Sequence, residues 1–81
     1  MFISKSDGKV LKKYRERNNL TIEEAAQKSN VLLSRLEKFE KPTKKDCGTY
    51  WEVIMQNELE KLLSLYGISE SYFIQDCIVS C

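Results

Sequence analysis

The chain has 81 residues, 31% of them charged and 42% hydrophobic, with a formal net charge of +1; this is enough for one domain with a modest core and a stability of a few kcal/mol. No apolar run approaches the roughly 18 residues that a membrane span needs, and the opening MFISKSDGK lacks the apolar stretch of a secretory leader, so a cytoplasmic protein is expected. The small net charge hides an asymmetry: residues 1–45 carry twelve Lys/Arg against six acids, and residues 46–81 carry one lysine against six acids, so one end suits phosphates and the other does not.

In chain order, Ser6 or Asp7 caps a first helix with Leu11, Tyr14 and Arg15 on its inner side, and Asn18 and Asn19 end it. Thr21-x-x-Glu24 is a capping box that starts a second helix running to about residue 29. Ala26 is small enough for a close helix crossing. Asn30 tolerates the left-handed backbone that a tight turn requires. Val31, Leu36 and Phe39 then point inward from the turn and from a third helix, residues 32–41, which stops at Pro42. This spacing is that of a helix-turn-helix, spanning about residues 21–41, whose second helix is exposed and most often enters the major groove of DNA.

Residues 42–48 (PTKKDCG) read as a loop by composition. Thr49-x-x-Glu52 has the form of another capping box and predicts a long fourth helix over residues 50–66, about 25 Å at 1.5 Å per residue. Along it Trp51, Met55, Leu59, Leu62 and Tyr66 recur at helical spacing, with Leu63 and Leu65 widening the stripe, and Gly67 stands where a helix-ending glycine belongs. Ser69 caps a last helix, about residues 69–78, containing Tyr72, Phe73 and Ile78. No strand is expected. The fold class that follows is all-α, a single domain over residues 1–81 built as a compact five-helix bundle.

Together these residues resemble the Cro/repressor (XRE) helix-turn-helix family of phage and bacterial regulators. The resemblance rests on Leu11-x-x-x-Arg15, Leu20-Thr21-x-x-Glu24-Ala25-Ala26, Asn30-Val31, Leu36-x-x-Phe39-Glu40 and Leu65-Tyr66-Gly67-Ile68-Ser69. It implies a bundle of the lambda-repressor type and a structural ion pair between Arg15 and Glu40. It also implies base reading by Leu33, Ser34 and Lys38, with Leu32, Glu37 and Lys41 beside them. Ser34 can pair with several base edges, Lys38 with guanine acceptors, and Leu33 only with a thymine methyl. Lys41, Lys44, Lys45 and the helix start at Thr21 suit phosphates.

Four features depart from the family. Ile22 replaces the usual Gln at the start of the second helix. Leu32 replaces the Ser or Thr that caps the third, at a cost of about 1 kcal/mol. Leu32 and Leu33 together put apolar surface on the reading edge. Roughly nine extra residues precede the fourth helix and bring Tyr50, Trp51, Ile54 and Met55, which either enlarge the core or form a partner surface anchored by Trp51.

The leading reading is a sequence-specific DNA-binding regulator, repressor-like and dimeric, of the kind phages and mobile elements carry, with double-stranded operator DNA as its partner and no cofactor. The alternative keeps the scaffold but binds a protein, as an antagonist of a repressor or host factor, through the leucines and the fourth-helix extension. An enzyme is not expected: the chain has no histidine, no glycine-rich phosphate loop and no cysteine beside a base. Three cysteines without a CxxC or a histidine do not make a zinc site; they read as reduced residues, or Cys81 as a link to a second chain.

Overall fold

The computed structural model describes residues 1–79. It contains five helices and three short strands: β1 (Phe2–Ser4), α1 (Lys5–Arg17), α2 (Ile22–Ser29), α3 (Leu33–Glu40), β2 (Lys44–Asp46), β3 (Thr49–Val53), α4 (Gln56–Tyr66) and α5 (Glu70–Val79). The helical bundle matches the sequence expectation, and the sheet does not. The chain is therefore mostly helical rather than all-α. No helix of the described residues is long and apolar enough to cross a membrane.

Local chemistry explains most helix ends. Ser4, rather than Ser6 or Asp7, caps α1: its hydroxyl accepts from the Asp7 amide, and the Asp7 carboxylate accepts from the Ser4 amide. The expected Thr21 box at α2 is present, with both reciprocal bonds near 3.1–3.2 Å. Asn30 ends α2 in the left-handed region at φ 64°, and Gly67 ends α4 at φ 71°. At α5, the Tyr72 amide donates to the Ser69 hydroxyl.

The predicted fourth helix is half strand. Thr49 does not cap a helix; it opens β3, which is the centre of an antiparallel sheet ordered β1-β3-β2. The register places Phe2 opposite Val53, Ser4 opposite Trp51, and both Lys44 with Trp51 and Lys45 with Tyr50 across the hairpin. Two positive-φ residues, Cys47 (50°) and Gly48 (83°), make its turn, the pattern that two-residue hairpins favour. Helix α4 starts only at Gln56, where the Glu58 carboxylate accepts from the Met55 amide.

One core unites these pieces. Leu11, Tyr14, Leu36, Phe39, Leu59, Leu62 and Phe73 are buried, and Ile3 and Ile54 extend this core under the sheet. Gly8 permits the α1–α3 crossing: a Cβ there would collide with the Phe39 carbonyl oxygen and stand 3.0 Å from that of Glu40.

Candidate nucleic-acid interface

Helices α2 and α3 and the turn between them form the candidate interface. The Val31 amide donates to the Ala26 carbonyl, closing the turn, and the Val31 side chain is buried. Leu32 is the N-cap of α3 and makes no side-chain cap bond. It is 72% exposed and Leu33 38% exposed, so neither folds back onto the core. Ser34, Glu37, Lys38 and Lys41 are exposed along the rest of the outer face of α3. Ser34, Glu37, Lys38, Lys41 and Thr43 line one shallow depression. A second groove, between α1, α2 and the end of α3, is lined by Lys12, Arg15, Ile22, Glu37, Glu40 and Lys41.

Two bidentate ion pairs hold α3 from opposite sides. Arg15 on α1 donates through Nε and Nη2 to the Glu40 carboxylate, at 2.8 and 3.1 Å, and through Nη1 to the Leu20 carbonyl at 2.8 Å. Both side chains are largely buried, and the Glu40 hydrogen bond, opposed by burial, raises the Arg15 pKa. Arg35 on α3 donates to both Glu58 oxygens, at 3.2 and 3.0 Å, and to the Val53 carbonyl at 2.9 Å. Its guanidinium also stacks 4.8 Å from the Phe39 ring centre. This second pair is not among those expected from the sequence. Its partners lie 23 residues apart and no local pattern joins them. The only sequence signal is a basic residue on the inner edge of a helix that is otherwise apolar on that side.

Glu52 belongs to the same network. Although 1% exposed, it meets Lys44 Nζ at 3.1 Å and Arg35 at 3.9 Å, and accepts from the Val53 amide. Burial pushes its carboxyl up, but the amide, Lys44 and Arg35 outweigh that and hold its pKa below the usual carboxylate range. Lys44, expected as a phosphate contact, is thus tied to Glu52. Thr21, another expected contact, has its hydroxyl engaged by its own capping box.

The four residues read as a partner surface do not form one. Ile54 is fully buried, because it follows a strand whose inner face lies on the core. Tyr50 and Trp51 point to opposite faces of β3, as alternation in a strand demands. Tyr50 is half-exposed, with Lys5 Nζ 5.5 Å and Lys45 Nζ 6.0 Å from its ring centre. Trp51 packs edge-on against Phe2, 5.1 Å between centres. Asp7, Asp46, Ser4 and Thr49 line a depression with those two rings. Met55 is exposed at the start of α4.

Four further exposed apolar residues lie on α5: Tyr72 and Val79 line one depression, and Ile74 and Ile78 another. Among the described residues no group of three or more His, Cys, Asp or Glu is placed to hold a metal ion. Cys47 is exposed and Cys77 half-buried; Cys81, the expected link to a second chain, lies outside the described residues.

No protein-family model and no curated protein matches the sequence. Among solved structures, the crystal structure of the wild-type restriction-modification controller protein C.Esp1396I matches with a TM-score of 0.72 at 21% identity. The match covers 94% of this chain and 88% of that one. The two proteins share a fold.

Proposed function

We propose that this chain is a DNA-binding transcriptional regulator, repressor-like and homodimeric, that reads its operator with α3 in the major groove. The observation that carries the reading is the outer face of α3. It stands clear of the core, presents Ser34, Lys38 and Lys41 beside Thr43, and is held at a set angle by Arg15–Glu40 and Arg35–Glu58. Likeness of fold to a restriction-modification controller protein supports a regulatory role. Leu33 would meet a thymine methyl, Ser34 and Lys38 polar base edges, and Lys41 the phosphates beside them. The apolar side chains of α5 offer a second copy the surface a dimer needs, and two half-sites would then lie about one helical turn apart.

The test is binding to DNA flanking its own gene, titrated with salt against a random duplex. Lys38→Ala is expected to lose about 1–3 kcal/mol on the operator, while Lys41→Ala weakens binding to all duplexes and flattens the salt slope by about one. Unchanged operator affinity in both variants would sink the reading.

One observation favours a second reading. Leu32 and Leu33 are both solvent-facing at the reading edge, and such an apolar pair also suits a protein partner. In that case wild-type protein would show no preference for the operator over the random duplex.

A further inference from the structure

The hairpin that replaces half of the expected fourth helix separates Trp51 from Tyr50. On one face Trp51 and Phe2 stand with Asp7 and Asp46, and Lys44 Nζ lies 5.4 Å from the Trp51 ring centre. On the other, the Tyr50 ring lies between the ammonium groups of Lys5 and Lys45. Neither lysine takes part in an ion pair among the described residues, whereas Lys44 is paired with Glu52. The Tyr50 face therefore keeps two uncompensated positive charges around an exposed phenol, a donor set that fits phosphodiester oxygens.

This face follows the α3 surface closely in the chain. Lys38, Lys41 and Thr43 share one depression, and Lys45 follows two residues after Thr43, the spacing at which extended chain returns to the same side. The Arg35 bond to the Val53 carbonyl joins the end of β3 to α3.

We propose that Lys5, Lys45 and Tyr50 form a second phosphate seat, which grips the DNA backbone outside the base pairs read by α3. The seat binds without regard to sequence and lengthens the footprint beyond the end of the reading helix. It rests on the DNA-reading proposal above and adds a surface to it.

The experiment compares two operator duplexes, one ending flush with the bases read by α3 and one carrying about half a helical turn, or five base pairs, more at each end. Wild-type protein is expected to bind the longer duplex more tightly and with a steeper salt slope. Lys5→Ala and Lys45→Ala should each flatten that slope by about 0.9 on the longer duplex and change nothing on the flush one. Lys5→Arg should restore it, and Tyr50→Phe should weaken only the longer complex. Equal wild-type binding to both duplexes, or slopes on the longer one unmoved by either alanine, would overturn the seat while Lys38→Ala still reports on α3. Wild-type protein that does not distinguish operator from random duplex would remove both proposals together. Helical signal and melting temperature, equal across the variants, show that each remains folded.

Discussion

Arg15 and Arg35 look alike on paper, yet they differ in how much water they see. The Arg15–Glu40 side chains are 12% and 5% exposed, and the Arg35–Glu58 pair is 29% and 17% exposed. Removing one member of a buried pair strands the other charge at about 3–5 kcal/mol, and an exposed pair contributes about 1 kcal/mol or less. Glu40→Gln is therefore expected to lower unfolding stability in urea by about 3–5 kcal/mol, and Glu58→Gln by clearly less; equal losses would contradict the difference in burial. Glu52 and Glu58 set the acid limit. In Glu58, as in Glu52, burial raises the carboxyl, but hydrogen bonds outweigh it, from Arg35 and the Met55 amide in the case of Glu58, and the folded pKa lies below the unfolded one. Stability from both is fully present above the unfolded carboxylate value, about 4.3, and is lost as pH falls through the depressed folded values. Denaturant titrations from pH 7 to 3 should show a flat plateau, then a fall below about pH 4. Gln at 52 and 58 together should shrink that fall. Arg15 and Glu40 were legible together because a family pattern joins them; Arg35, Glu52 and Glu58 were not, since only the folded chain brings them together.

At the scale of elements, ends and crossings decide. The α2 capping box, the left-handed Asn30 and the glycine after α4 are short-range signals, and each stands where the sequence placed it. Thr49-x-x-Glu52 misled because one tetrapeptide satisfied a helix-start pattern while its surroundings did not. Thr49-Tyr50-Trp51-Glu52-Val53 is dense in β-branched and aromatic residues, and Cys47-Gly48 before it makes a two-residue turn. The strand face then hides Glu52 and Ile54 and separates Tyr50 from Trp51, which is why the four residues expected from helical spacing to share one surface do not. Two substitutions test this level. Leu32→Ser gives α3 the cap it lacks and should raise stability by about 1 kcal/mol in urea unfolding; no gain would mean that Leu32 contributes by other contacts. Gly8→Ala should destabilise by about 1–3 kcal/mol, because its Cβ meets backbone carbonyls that cannot swing aside, although alanine is the better helix former.

For the whole molecule, charge and connectivity divide the chain differently. The basic half carries both α3 and the Lys5 end of α1, and the acidic half carries α4 and α5, so the electrostatic field has a direction. Connectivity instead ties the beginning of the chain to its middle. Phe2 pairs with Val53 and Ser4 with Trp51, while α1, α2 and α3 follow one another and pack within the first forty residues. Closing a loop of about fifty residues is the slow, entropically costly step, and helices with local contacts form ahead of it. Strand β1 is thus expected to dock after the rate-limiting barrier. Ile3→Val, at a fully buried site, should cost about 1 kcal/mol and express it as about fivefold faster unfolding with refolding unchanged; a matching slowdown in refolding would place β1 in the nucleus. The first three residues after Met1 would then act as a latch on the folded state's lifetime, setting how long α3 stays presented rather than how quickly it forms.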